Sequence, residues 1–585
     1  MKTSPIPAGW DDGVPRPRID DFESATEKFS WSSARDALLH PPLECGLNAG
    51  AIAVDRHCAG GGGSRTALRA VRRDGSTYEI SYDALRRESD RFANVLRTLG
   101  IGAGEAVFTL LGRVPETFVS AIGTLKHRSV FCPLFSAFGP EPVRQRLELG
   151  GARVLVTTSR LYERIVEPLR DGLPELRHVV IVDAPSRPDA TSYVDLMDAA
   201  DDDYAIAVTD PEDPAILHFT SGTTGAPKGV LHVHEAAVAH HATSAFALDL
   251  RPEDVFWCTA DPGWVTGTSY GILAPLLHGA TNLVVEDEFG GERWYRTIEE
   301  QRVDVLYTSP TAIRMWMKLG LELSKGFDLT SLRLVSSVGE PLNPEAVVWG
   351  QEAFGLPILD NWWQTETGGI MIANLRDQEI RPGSMGRALP GIEARIVHRR
   401  DDGGVDVIDE PGVEGELALR AGWPSMMRGY LDRPERYAEC FRDDWYLTED
   451  LARCDEDGYF WFLGRADDMI KTAGHRIGPF EIESVLMEHP AVAEAAAIGT
   501  PHPTAGEIVK AFVELKVGFE ATKALERELL AMSRKRLGPV SAPREIEIEE
   551  RLPKTRSGKI MRRLLRARER GEDFGDTSTL EGGGS

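Results

Sequence analysis

No stretch of this sequence approaches the roughly 18 uninterrupted apolar residues that a membrane-crossing helix needs, so no transmembrane helix is expected. Residues 1–18 hold Pro, Gly and acidic side chains but no apolar core of a secretory signal. The expected location is cytoplasmic. Cysteine is sparse: Cys45, Cys58, Cys132, Cys258, Cys440 and Cys454 are scattered and form no CxxC pair. That argues against a disulfide framework and a structural zinc site. Positive charge is in deficit, 66 Lys+Arg against 91 Asp+Glu, a net −25. Such a balance disfavours nucleic acid as a general partner and makes a local basic cluster more informative. One such cluster is Arg551, Lys554, Arg556, Lys559, Arg562, Arg563, Arg566, Arg568 and Arg570. It begins in a loop with Ser557-Gly558, which favours anion binding over a merely solvated helix face.

At 585 residues the chain is too long for one core, since single cores stop growing near roughly 250–300 residues. Apolar and charged positions recur at helical spacing over Ser81–Leu99, with Gly100 as a stop. A buried strand follows over Ala106–Leu111, then a helix over Pro115–Lys126 and a strand over Ser129–Leu134. Alternation continues to Leu332–Val338, which predicts a parallel α/β architecture. Beyond Gly386, short strands with turn signals predict a smaller β-rich subdomain. Gly464–Asp468 reads as a polar turn, and an α+β unit of helix, two strands and helix follows. The expected division is 1–466 and 467–585, with a small mobile C-terminal domain. Residues 1 to about 75 read as irregular.

Several short segments carry chemistry. Thr220–Gly229 reads Thr-Ser-Gly-Thr-Thr-Gly-Ala-Pro-Lys-Gly, after the apolar run Ala215–Phe219. Glycines let backbone amides face an anion, hydroxyls add donors and Lys228 adds charge. It is not a GxxxxGK[ST] loop, because no Ser or Thr follows Lys228. Asp360–Ile370 reads Asp-Asn-Trp-Trp-Gln-Thr-Glu-Thr-Gly-Gly-Ile, which sets two pocket-walling indoles beside hydroxyls, one carboxylate and two glycines. Arg465 and Arg476 offer fixed guanidinium geometry to phosphate or ribose. Pro553–Lys559 is a basic, turn-forming loop.

Together these segments, with Ala260–Gly267 and Val338–Pro344, resemble the adenylate-forming superfamily of acyl-CoA synthetases, peptide-synthetase adenylation domains and luciferases. The resemblance runs from about Ser81 to Leu565 and is strongest to AMP-forming acetyl-CoA synthetases. It implies ATP, Mg²⁺ and coenzyme A as cofactors and cosubstrates. Thr220, Ser221, Gly222, Thr223, Thr224, Gly225 and Lys228 would enclose the β/γ-phosphates. Gly339, Glu340 and Pro341 would line the adenine side, with Asp360 on the amino group and Trp362 against the ring. Gln364 joins the ATP site, Thr365 the α-phosphate, and Glu366 would ligate Mg²⁺. Asp450 and Arg465 would hold the ribose, and Arg476 a phosphate. Val265, Thr266, Val338 and Trp363 would form the acyl pocket. Lys559 would be the adenylation lysine, and Asp467 the hinge. Ala473, Gly474 and Arg534 would meet CoA after rotation.

The chain departs from the family pattern twice. Glu449 precedes Asp450 where Gly is usual, and a positive φ there would strain it. Ala473 replaces a Ser of the CoA tunnel. The implied reaction is ATP-dependent conversion of acetate to acetyl-AMP with pyrophosphate release, then transfer to CoA. Propionate or another short acid is the alternative substrate. Lysine acetylation is the regulation expected at Lys559, with an acetyltransferase and deacetylase as partners. A catalytically silent nucleotide-binding regulator would be expected to lack Lys559 or Glu366.

Overall fold

The alternation of strands and helices builds two large sheets around a shared helical layer. The computed structural model describes residues 4–7, 17–18, 21–221, 227–287, 289–472, 475–502, 506–516, 518–555, 559–574 and 580. The first sheet has eight strands, with Val130–Pro133, Ala106–Leu110, Val154–Thr157 and His178–Ile181 running parallel at its heart. On one side it continues through Pro214–Ser221, Pro227–Val233 and Gly429–Tyr430. The second sheet has nine strands. Thr66–Val71, Thr281–Val285, Val255–Cys258, Val305–Thr308, Leu334–Ser337 and Ile358–Trp362 are parallel neighbours within it.

The helix Tyr82–Thr98 starts where expected because the Ser81 hydroxyl accepts the Ala84 amide at 3.1 Å. It packs on Pro115–Lys126, which is buried on every face. Gly123 permits that approach: a Cβ there would lie 2.7 Å from the Ser89 carbonyl. Apolar residues of both sheets meet in this layer, among them Phe131 and Val154 from one, Leu68 and Val284 from the other. Lys126 is fully buried within it and is neutralised by Asp55 and Asp90, each at 2.8 Å, as a desolvated ammonium requires.

A third sheet of six short strands follows, made of Ala394–Arg399, Val405–Ile408, Glu414–Arg420, Phe441–Arg442, Trp445–Cys454 and Phe460–Arg465. A fourth, of five strands, carries the C-terminal unit with helices Pro479–Met487 and Lys523–Ser541. The expected α/β class with a β-rich subdomain and a small α+β unit is the class observed.

Two expectations need correction. The first 75 residues are not irregular: Phe22–Lys28, Trp31–Leu38, Ala49–Ala53 and Asp55–Ala59 are helical, and Thr66–Val71 is a strand. These helices are five to eight residues long, too short to show a clear period. They exist because caps and packing support them; the Asn48 side chain caps Ala51 while donating to the Leu125 carbonyl. The turn expected over Gly464–Asp468 is confined to residues 466–468 and excludes Gly464 and Arg465. Both close the strand Phe460–Arg465, and the antiparallel register sets Asp450 opposite Arg465. Pairing with a neighbouring strand outweighs local polarity there. Among the described residues no helix is long and apolar enough to cross a membrane.

Candidate active site

Parallel strands deliver their carboxyl ends to one side of a sheet, and clefts form outside those ends. Here Leu334–Ser337 leads into Val338–Pro341, and Ile358–Trp362 leads into Trp363–Glu366. Both segments line one cleft of about 2330 Å³, together with Thr220, Lys228, Val265, Thr266, Asp450, Arg465, Asp467 and Lys559. Glycines 222 and 225, Thr223, Thr224, Ala473 and Gly474 lie outside the described residues. Ser221 ends the strand Pro214–Ser221, and Arg476 lies in the strand His475–Ile477. Arg534 sits exposed on the helix Lys523–Ser541 and does not line the cleft.

The base-side end is set by Asp360. Its carboxyl is buried, and desolvation pushes its pKa up to about 8, against weaker lowering by the amides of Leu342 and Asn361 and by the Ser337 hydroxyl. The Leu342 amide reaches Oδ2 at 3.4 Å. Oδ1 has no geometrically formed hydrogen bond, nor does the nearby Ser337 hydroxyl. A buried acceptor left this way suits an amino donor such as that of an adenine. Because its folded pKa is raised, Asp360 favours stability when protonated. That contribution is lost as pH rises from 3.8 through about 8. The ionised carboxylate is the better acceptor. AMP affinity is therefore expected to rise as pH rises through about 8 in the parent, and to stay flat in Asp360→Asn; calorimetric titration across that range checks it.

Asp450 is buried beside it, and desolvation raises its pKa against the pull of Arg465, Trp362, Lys559 and Gln364. Its Oδ2 accepts the Trp362 indole N–H at 2.9 Å and the Gln364 amide at 3.0 Å. Arg465 faces Oδ1 at 3.4 Å, as the strand register requires. Arg465 also reaches Asp467 at 3.4 Å, and the Arg566 guanidinium donates to the Asp467 carbonyl at 3.1 Å.

At the other end, the Tyr430 hydroxyl donates to Glu366 Oε1 at 2.9 Å, and the Lys228 ammonium stands 5.0 Å from the Tyr430 ring centre. Thr365 is anchored by its carbonyl, 2.9 Å from His232 Nε2. Gly368 takes φ 68°, and a Cβ there would lie 2.2 Å from the Ser425 carbonyl, so only glycine fits. Among the described residues no cluster of three or more His, Cys, Asp or Glu could hold a metal unaided. A Mg²⁺ bound through one carboxylate plus substrate phosphates needs no such cluster, and Glu366, fixed by Tyr430 beside Lys228, fits that mode.

Trp363 points away from these groups. Its indole N–H lies 3.3 Å from the Tyr307 hydroxyl, and its ring meets Tyr270 edge-on at 5.1 Å. Val265 and Thr266 open a short helix beside it, and Val338 is buried nearby.

The C-terminal basic cluster is less free than expected. Arg562 pairs with Glu483 at 2.6 Å, Arg568 with Glu549 at 2.6 Å and Arg570 with Glu507 at 3.2 Å. Arg566 pairs with Asp468, and Lys554 with Glu494 and Glu514. Lys559 is exposed at the cleft and has no ion pair among the described residues. Between the C-terminal unit and the body, buried Arg314 binds Glu340 at 2.7 Å and Glu494 at 3.2 Å. Lys318 holds Glu514 at 2.7 Å, and Asn343 donates to Ser484 at 2.9 Å.

Sequence reasoning missed Tyr430, Arg436, His232, Tyr307 and Arg314. None stands in a chemistry-rich segment; tertiary pairing brings each to the site. Tyr430, for example, arrives through the edge pairing Tyr430↔Val230.

Residues 54–431 match the AMP-binding enzyme family, and residues 481–559 match the AMP-binding enzyme C-terminal domain. An acetyl-coenzyme A synthetase of Bacillus subtilis (strain 168) is 46% identical over 570 residues, 96% of this chain and 97% of that one. One from Methanothrix thermoacetophila is 38% identical over 605 residues, 98% and 90% of the two chains. Among solved structures, a Brucella canis acyl-CoA synthetase matches with TM-score 0.73 and 36% identity, over 94% of this chain and 99% of that one. An anthranilate CoA ligase in complex with anthranoyl-AMP matches with TM-score 0.84 and 29% identity, over 93% and 99%. With matches to both family models and relatives aligned along nearly its whole length, the chain belongs to the AMP-binding enzyme family.

Proposed function

We propose that this chain is an AMP-forming acetate–CoA ligase. The observation that carries the reading is Trp363. Held against Tyr270 and Tyr307, its indole lines the same cleft as Asp360, Asp450, Glu366 and Lys559, where it would close the acyl side. A floor that large and that fixed would leave room for a methyl or ethyl group. The full-length likeness to acetyl-coenzyme A synthetases supports the same acid.

A carboxylate is a poor acyl donor because its leaving group would be oxide. Attack of acetate on the α-phosphorus of ATP forms acetyl-AMP and expels pyrophosphate; the CoA thiol then attacks the acyl carbon and expels AMP. The protein's part is positioning and charge stabilisation. Asp360 would accept from the adenine amino group, with Trp362 and Gly339–Pro341 beside the base. Asp450 and Arg465 would hold the ribose, and Gln364 would keep Asp450 oriented. Residues Thr220–Lys228 would enclose the β/γ-phosphates. Thr365 and Arg476 would hold the α-phosphate, and Lys559 would offset the charge that develops there. Glu366 would hold a Mg²⁺, which when bound supplies neutralisation of the phosphate oxygens. Val265, Thr266 and Val338 would flank the methyl group.

The two steps need different groups at one face, so the unit beginning at Asp467 would turn between them. Rotation would withdraw Lys559 and bring Ala473, Gly474 and Arg534 toward CoA. Lys559 is exposed, as a lysine acetyltransferase would require, and acetylation would remove the charge of the first step. The reading is tested by pyrophosphate release across straight-chain C1–C6 carboxylates, with and without CoA. Acetate should lead, propionate follow and butyrate be poor; preference for hexanoate or benzoate would overturn it.

A further inference from the structure

Glu449 has a left-handed backbone, φ 60°, a conformation that a non-glycine residue adopts only under strain. The positive φ that the sequence made a condition for strain is thus present. Its amide donates to Glu416 Oε1 at 3.0 Å, and Glu416 is itself clamped by Arg399. Its carboxylate reaches into the cleft and bridges two guanidinium groups: Arg436 at 2.6 Å and Arg465 at 3.1 Å. Burial raises its pKa, but Arg436, Arg465 and Lys228 outweigh that and hold it below the ordinary value. The carboxylate is therefore ionised and stands within the field of Lys228, at the end of the cleft where Tyr430 fixes Glu366.

A strained residue persists where its surroundings over-determine it and function uses it. Arg436 and Lys228, the cations near Tyr430 at the Glu366 end of the cleft, would together retain any polyphosphate strongly. A fixed anion beside them reduces that retention, more for a highly charged ligand than for a weakly charged one.

We propose that Glu449 is an internal counter-anion that withholds Arg436 from the polyphosphate end of the cleft and so favours release of pyrophosphate over release of AMP. This rests on the ligase reading above. It makes Glu449 a residue that sets the balance between the two leaving products, without touching the reacting atoms.

The test compares binding of pyrophosphate and of AMP to the full chain by calorimetry at two ionic strengths. In Glu449→Gln, which keeps the size and loses the charge, pyrophosphate should bind about tenfold more tightly, with AMP moved far less. The gain should shrink in high salt. Glu449→Gly should behave alike, and Glu449→Asp should stay near the parent. Arg436→Gln, which removes one of the cations, should weaken pyrophosphate. A lowered melting temperature with an unchanged pyrophosphate-to-AMP ratio would overturn the proposal, as would weaker pyrophosphate binding in Glu449→Gln. Parental acetate-dependent pyrophosphate exchange with an unchanged ratio in the variants would sink this inference alone. Absence of exchange with every acid would sink the ligase reading, and the binding ratio would still decide the role of Glu449.

Discussion

Replacing Lys559 by alanine is expected to lower acetate-dependent ATP–pyrophosphate exchange by about 10²–10³-fold, the usual loss when one stabiliser of developing charge is removed. Acetyl-CoA formation from preformed acetyl-AMP should stay near the parental rate if, as proposed, the lysine serves adenylation alone. The contrast follows from the surroundings of Lys559. Two neighbouring cations of its segment are bound to carboxylates, Lys554 between Glu494 and Glu514 and Arg562 on Glu483. Lys559 is exposed at the cleft, and its charge acts on buried Asp450. Substitution at such a site disturbs no core packing, so thermal unfolding should be nearly unchanged. Equal loss of both half-reactions, with unchanged stability, would count against a role confined to adenylation.

Trp363→Gly should convert the acid preference from acetate toward butyrate and hexanoate. Each methylene that the opened pocket newly accepts changes discrimination by roughly 1–3 kcal/mol, so two or three of them can invert the order. The acetate rate should fall at the same time, since the methyl group loses its floor. A stability loss below the roughly 3–5 kcal/mol of a fully buried Trp→Ala change is expected, because the indole is only half-buried. Competition assays with paired acids read the change in kcat/KM directly. If the variant keeps the parental order, the pocket floor lies elsewhere.

The site was legible in the sequence where chemistry is contiguous. Asp360–Ile370 carries two indoles, two carboxylates and two glycines at one strand end, and the structure brings Asp360, Trp362, Trp363 and Glu366 to one cleft. The core helices were equally readable: Pro115–Lys126 has the expected bounds because a proline starts it and His127-Arg128 turns out of it. Where contacts join distant segments, the sequence was silent. Tyr430 holds Glu366 across 64 positions, and His232 holds the Thr365 carbonyl across 133. Neither has a local signal. The short N-terminal helices were missed for a related reason: a five-residue helix such as Ala49–Ala53 draws its stability from tertiary burial. Glu449 is the intermediate case. Its strain could be stated as a condition from sequence, but the bridging of Arg436 and Arg465 could not.

Arg314 carries a consequence for how nucleotide and lid communicate. One guanidinium is shared by Glu340, in the segment proposed to line the base, and Glu494, on the C-terminal unit. Rotation of that unit would strip Glu494 from the buried guanidinium and leave Glu340 as its remaining carboxylate. Whatever steadies Glu340 therefore also biases the lid, and by linkage the lid position feeds back equally on affinity for the base. On the proposed rotation, the exchange between the two half-reactions would be tied thermodynamically to the nucleoside end of the ligand as well as to its phosphates.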